Sequence, residues 1–199
     1  EVARQTVNSY PEADLDAVGM PEFRAWAGLY QEAWDRLNAK YGIADLVSLE
    51  TVLDRAQART SYAGGAERAV QEAKGDLVAL YFLDTLFVEN RALSASENAA
   101  ARLIVVGVAE ELFPIVARIF PDGWECNPYV DYTSSHILRR PEVLGRADTS
   151  ETPWFLCYTL HDDNIGVLPQ LATGTLARLT EVLCDGGWSG FVTRYWMPS

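Results

Sequence analysis

The sequence has few basic residues and no basic cluster. Its formal net charge is -12 at pH 7, and its longest run of positive charge is the pair formed by Arg139 and Arg140. A phosphate backbone or an anionic membrane would be repelled by such a surface as a whole. We therefore expect neither nucleic acid nor a membrane among the partners.

Long apolar runs and paired cysteines are also missing. The longest apolar stretches, LVALYFLDTLFV and RLIVVGVAEELFPIVARIF, are interrupted by acids and fall short of the roughly 20 residues that span a bilayer. Cys126, Cys157 and Cys184 are odd in number and lack CxxC spacing, so neither a disulfide framework nor a zinc site is indicated. Buried thiols in a reducing compartment are expected, and hence a cytoplasmic protein.

Short catalytic motifs are the third absence. The chain contains no HExxH, GxSxG, P-loop or GxGxxG pattern. These patterns carry zinc-protease, hydrolase-triad and nucleotide chemistry, so those functions are disfavoured. No cofactor and no resident metal are predicted.

The chain itself reads as one globular domain over residues 1–199. It is 49% hydrophobic and 22% charged, which is typical of a chain that buries a large single core. It has no initiator Met, and GFVTRYWMPS breaks off just after a strand-like run. We expect a piece of a longer protein, with the rest of that chain or a second copy as possible neighbours.

Hydrophobic periodicity predicts alternating helices and strands. Aromatic and apolar residues recur every three or four positions in FRAWAGLYQEAWDRLNAKY, which predicts an amphipathic helix closed by Gly42. Further helices are predicted over 48–60, 66–74, 110–120, 133–140 and about 168–184. Strands or extended segments are predicted over 13–20, 76–84, 102–108, 124–132, 153–160 and 188–196.

Apolar strands separated by helices predict an α/β fold with a parallel sheet covered on both faces. About six strands are visible. A complete eight-stranded barrel takes about 250 residues, so the sequence predicts a parallel (β/α) barrel or a large part of one. Residues 77–83, 102–107, 154–159 and 190–193 are expected to be buried neighbouring strands.

Polar side chains follow these predicted strands, where each strand ends. The clearest example is the run His161, Asp162, Asp163 and Asn164 after FLCYTL. In a parallel barrel all the carboxyl ends lie on one face, where active sites are found. Similar positions are held by Glu22, Asp84, Glu110, Glu111, Glu125, Asp131, Arg194 and Trp196.

Paired carboxylates flanking a glycosidic bond can act as proton donor and as nucleophile or base. We predict Asp84, Glu125 and Asp162 as catalytic residues. An aromatic floor suits the apolar face of a sugar ring, and polar side chains suit its hydroxyls. Substrate binding is predicted for Glu22, His161, Asn164, Arg194 and Trp196.

Several of these residues also have a purely structural interpretation. Glu110 and Glu111 precede a predicted helix, where a carboxylate complements the helix dipole. Asp162, Asp163 or Asn164 can cap the helix that follows them. Trp196 can belong to the core.

The strings YPEADLDAVGMPEFRAW, LVALYFLD, HDDN and GFVTRYW resemble (β/α)8-barrel domains of glycoside hydrolases of the alpha-glucuronidase and hexosaminidase type. The resemblance implies a (β/α)8 barrel, acid catalysis and a carbohydrate substrate. Two other classes stay open: a non-catalytic acidic interaction module, and a metal-dependent hydrolase or lyase that uses His161 with nearby acids.

Overall fold

Helices and short parallel strands alternate along the chain. The computed structural model describes residues 2–13, 15–19, 25–60, 64–93, 102–120, 124–150, 152–159 and 173–194. Its helices are α1 (Val2–Ser9), α2 (Tyr30–Tyr41), α3 (Leu49–Gln57), α4 (Gly65–Leu83), α5 (Phe113–Ile119), α6 (Ser134–Ile137) and α7 (Thr173–Asp185). Its strands are β1 (Leu15–Gly19), β2 (Arg102–Val106), β3 (Trp124–Asn127), β4 (Tyr129–Thr133), β5 (Phe155–Thr159) and β6 (Gly190–Arg194). Short 3-10 turns cover Ala27–Leu29, Ile43–Asp45, Glu110–Leu112 and Pro141–Arg146, and a π-helical turn covers Asp84–Glu89.

The strands form two three-stranded parallel sheets, in the orders β1-β2-β3 and β4-β5-β6. Pro128 separates β3 from β4, and a proline has no N–H to give to a strand ladder. The two sheets meet at one isolated bridge, where the Cys126 N–H donates to the Pro153 carbonyl at 2.9 Å. Asn127 strengthens this junction, because its side-chain amide donates to the Phe155 carbonyl at 2.6 Å.

The predicted parallel (β/α) barrel is therefore wrong. The strands of the described chain are four or five residues long and make two small sheets, not a closed ring. Helices also hold far more residues than strands do. In the described part of the chain, β1 and β6 do not pair with each other, so the strands do not form a closed ring. Their carboxyl ends therefore do not surround one cavity.

The largest error in secondary structure falls on residues 77–83, which were predicted as a strand and belong to α4. Leu77, Val78, Ala79, Leu80 and Leu83 are all buried there. A helix that is buried nearly all round has a continuous apolar sequence, and periodicity cannot distinguish it from a buried strand.

Several other predicted elements are confirmed, although α2 begins seven residues later than predicted. Trp34 and Leu37 form the buried face of α2, and Gly42 ends that helix in the left-handed conformation, with φ 64°. Its N–H donates to the Asn38 carbonyl at 2.8 Å, which satisfies one of the last free carbonyls of the helix. The predicted strands over 102–107, 154–159 and 190–193 correspond to β2, β5 and β6, of which only β5 and β6 are neighbours. The expected burial of 190–193 is wrong, because Phe191 and Val192 are exposed.

The segment that follows β2 passes straight into the core. Val108, Leu112 and Phe113 are buried, and the Phe113 ring lies 5.3 Å from that of the fully buried Trp154. The buried carboxylate of Asp76, in α4, accepts from the Ala109 N–H at 2.9 Å. These contacts fix the backbone immediately before Glu110.

Among the described residues, no helix combines the length and the apolar character needed to cross a membrane.

Leu80 and Phe82 provide a test of α4. In a strand, residues two apart share a face, whereas in a helix they lie on nearly opposite sides. Leu80 is 0% exposed and Phe82 is 59% exposed. We expect Leu80→Ala to lower the free energy of unfolding by about 2–5 kcal/mol, as buried leucine truncations do. Urea denaturation measures this change.

The matched control is Phe82→Ala, which removes a larger side chain from the same helix. We expect its effect to stay within about 0.5 kcal/mol, as for most surface changes. Similar large losses for both variants would contradict the helical assignment.

Candidate functional site

Two buried carboxylates lie at the start of the turn that follows β2. Glu110 and Glu111 are 1% and 0% exposed. The carboxyl ends of parallel strands are where open α/β sheets place their ligand sites, and both residues lie just beyond such an end. Isolated buried carboxylates are very unfavourable, so both need cationic partners.

Glu110 receives its partners from the segment after α6. Both terminal nitrogens of the Arg140 guanidinium donate to the Glu110 carboxylate, Nη1 at 3.2 Å to Oε2 and Nη2 at shorter range to Oε1. Arg146 donates to Oε1 at 3.3 Å. Burial acts to lower the pKa of Arg140, but its hydrogen bonds to Glu110 outweigh that effect and the pKa lies above its ordinary value.

Glu111 is held by a different arginine. Arg59, in the turn after α3, donates from Nη1 to both Glu111 oxygens at 3.3 and 3.4 Å, and its Nε lies 3.9 Å from Glu110 Oε2. Burial raises the pKa of the Glu111 carboxyl above its ordinary value, and the nearby Arg59 charge opposes that rise. The two carboxylates thus connect the end of β2 to the segment after α3 and to the segment after α6.

A cavity of about 150 Å³ opens beside this network. It is lined by Arg55, Ala58, Arg59, Glu110, Arg140 and Arg146. Arg55 lies on α3, one helical turn before Arg59, and it has no ion pair or hydrogen bond within the part of the chain that the structure describes. Four arginines therefore line one small space.

The local charge of this cavity is opposite to that of the whole molecule. Among the described residues, four arginines line it and the buried carboxylates of Glu110 and Glu111 contact three of them, although the chain has a net charge of -12. Guanidinium groups bind carboxylate and phosphate oxygens in a two-pronged geometry and stay charged at any physiological pH. The cavity is suited to an anion.

Asp84, a predicted catalytic residue, lies elsewhere. It follows α4 instead of a strand, and its buried carboxylate accepts from Tyr41 Oη at 2.5 Å and from Lys40 Nζ at 2.9 and 3.0 Å. Lys40 also donates to Glu89 at 3.1 Å. Burial and the hydrogen bond to Asp84 raise the pKa of Tyr41 to about 12. This network, which we call the Asp84 cluster, joins α2 to the end of α4.

Of the other predicted residues, two are described and five are not. Glu125 is buried in β3, beside Ile104 of β2, and it makes no hydrogen bond with Asp84. Arg194 is the last residue of β6. The remaining predicted site residues lie outside the described residues: Glu22, His161, Asp162, Asn164 and Trp196.

The structure offers no preformed metal centre in its described part. No group of three or more His, Cys, Asp or Glu side chains is placed to hold an ion there. The metal-dependent alternative relied on His161, so it stays untested.

The arginines of the cavity were missed at the sequence level. Arg55 and Arg59 are spaced by four residues, which places them on one side of a helix, and this was the available signal. Arg140 was noted only as half of the largest basic pair. Nothing in the sequence indicates that residues 55–59, 110–111 and 140–146 meet, because their contacts span 30 residues or more.

Comparison with models of protein families, with curated proteins and with solved structures gave no match. The resemblance to glycoside hydrolases of the alpha-glucuronidase and hexosaminidase type is thus wrong, because neither a related protein nor a barrel supports it. The description of the chain as a TIM-barrel glycosidase is corrected with it.

The Asp84 cluster yields a pH-dependent prediction. Tyr41→Phe removes a hydrogen bond to a buried carboxylate, so we expect the free energy of unfolding to fall by about 1.5–3 kcal/mol near pH 7. The folded-state pKa of Tyr41 is raised from 10 to about 12. Its contribution is therefore fully present below about pH 10 and is lost as the pH rises through about 12. Urea denaturation across this range measures it.

Tyr10→Phe is the control, because Tyr10 is 59% exposed and we expect its loss to change stability by less than about 0.5 kcal/mol. A stability difference between the native protein and Tyr41→Phe that persists unchanged at pH 12 would contradict the assigned hydrogen bond.

Proposed function

We propose that the protein binds a small anionic compound in the cavity lined by Arg55, Arg59, Arg140 and Arg146. The observation that carries this proposal is that four arginines line one cavity in a strongly acidic chain. Such a concentration of like charge is unfavourable unless anions offset it, and an anion in the cavity would add to the offset that Glu110 and Glu111 provide.

The number of available donors supports the same conclusion. Each guanidinium carries five N–H donors. Glu110 accepts two hydrogen bonds from Arg140 and one from Arg146. Arg140 and Arg146 thus keep N–H groups that a ligand in the cavity can reach, and Arg55 also lines the cavity. Glu110 and Glu111 hold the other three arginines at fixed positions, which lowers the entropic cost of binding.

The size of the cavity limits the ligand. Its volume is about 150 Å³. Drug-sized ligands occupy pockets of about 300 Å³ or more. The proposed ligand is therefore an inorganic oxyanion, a small carboxylate, or the anionic group of a larger compound whose remainder stays outside.

Sugar cleavage by paired carboxylates stays a prediction that nothing tests. Its proposed acids are not assembled among the described residues, because Asp84 is engaged by Lys40 and Tyr41 and Asp162 is not described. As part of the proposal we place the protein in the cytoplasm, since Cys126 and Cys184 are free thiols.

Arg55→Gln tests anion binding with the least disturbance to the fold. Arg55 belongs to none of the ion pairs in the described chain, so its loss leaves Glu110 and Glu111 with their partners. A hydrogen bond to a charged group contributes about 1.5–3 kcal/mol. We expect the affinity for inorganic phosphate, measured by isothermal titration calorimetry, to fall about tenfold or more.

Arg36→Gln is the matched control. Arg36 is an exposed arginine on α2, and its guanidinium lies 3.9 Å from the Glu32 carboxylate. It does not line the cavity, so its replacement removes the same charge outside the proposed site. We expect phosphate affinity to stay within about twofold, because exposed charges are screened by salt. Equal losses for the two variants, or no phosphate binding by the native protein, would refute the proposal.

A further inference from the structure

We infer that this cavity selects an oxyanion that carries a proton, such as hydrogen phosphate, over a fully ionised one such as sulfate. The inference rests on the proposed function and adds the identity of its ligand. Its basis is the position of Glu110, which lines the cavity among the arginines and whose carboxylate contacts two of them.

The hydrogen bonds of Glu110 leave one acceptor position open. An ionised carboxylate offers about four lone-pair sites. Three N–H groups occupy these sites, two on Oε1 from Arg140 and Arg146, and one on Oε2 from Arg140. The Nε of Arg59 lies 3.9 Å from Oε2, which is beyond hydrogen-bonding distance. Oε2 therefore retains the capacity to accept one more hydrogen bond.

A ligand in the cavity meets both kinds of group at once. Its ionised oxygens face guanidinium donors, and the oxygen beside Glu110 faces a carboxylate that has no proton to give. An ionised ligand oxygen in that position is repelled by the Glu110 carboxylate. Neither of the two oxygens then has a proton with which to form a hydrogen bond. A protonated oxygen instead donates a hydrogen bond to Glu110.

Phosphate and sulfate are common tetrahedral anions that differ in whether they carry a proton. Both are dianions of similar shape near pH 8, but hydrogen phosphate still carries one proton and sulfate carries none. The arginines bind the ionised oxygens of either anion. Glu110 therefore acts as the group that distinguishes the two.

The experiment compares phosphate and sulfate binding to the full chain at pH 8, by calorimetry in a chloride buffer of fixed ionic strength. We expect phosphate to bind about 10- to 100-fold more tightly, the ratio that one hydrogen bond to a charged group provides. Equal affinities would overturn the selectivity while leaving anion binding intact. Binding of neither anion would overturn the proposed function itself.

Glu110→Gln assigns the selectivity to this side chain. The amide keeps nearly the same shape, removes the negative charge and offers an N–H to an ionised oxygen. We expect sulfate affinity to rise and the phosphate-to-sulfate ratio to fall to within about threefold. A ratio that stays at the native value would overturn the role of Glu110. If this variant does not fold, the ratio of the native protein alone still decides the inference.

Glu142→Gln is the matched control. Glu142 is exposed and its carboxylate acts on Arg140 from outside the cavity, so this variant removes the same charge near the same arginine. We expect it to preserve the phosphate-to-sulfate ratio within about twofold. A collapse of the ratio in this control as well would show that general charge, not the Glu110 oxygen, sets the preference, and would overturn the inference.

Discussion

The buried carboxylate of Glu110 is the point on which the site depends. Removing a carboxylate from water is costly, and only close cations with good hydrogen-bond geometry offset that cost. Arg140 and Arg146 supply these contacts, and Arg59 links the neighbouring Glu111 to α3. Segments that lie far apart in the sequence are thereby held around one space. Without Glu110, Arg140 and Arg146 would lose the carboxylate that both of them contact, so the geometry of the cavity and the local fold depend on one ionic network.

The contrast between the cavity and the rest of the molecule has a simple electrostatic consequence. The net charge of -12 repels an approaching anion, but at physiological salt exposed charges are largely screened beyond about 8 Å. Inside the cavity the arginines act at contact distance and in a less polar environment, where charged hydrogen bonds are stronger. Nearby guanidinium groups therefore determine binding more than the overall charge does.

Amphipathic periodicity predicted α2, in which Trp34 and Leu37 form the buried face. Short, continuous apolar runs predicted the strands β2 and β5. The same reasoning failed for Leu77 and Leu80, because burial on nearly all sides removes the periodicity that distinguishes a helix from a strand. Asp84 was placed at a strand end as a result. The arginine cavity could not be predicted for a different reason. Its ion pairs join segments that are far apart in the sequence, and such contacts produce no local sequence pattern.

The most direct test of an anion site in the arginine cavity is a crystal structure of the full chain grown with tungstate, a tetrahedral oxyanion located by its anomalous scattering. The strongest anomalous peak is expected between the guanidinium groups of Arg55, Arg59, Arg140 and Arg146, within hydrogen-bonding distance of at least two of them. A cavity that contains only water, with the tungstate ions bound elsewhere on the surface, would contradict the assignment.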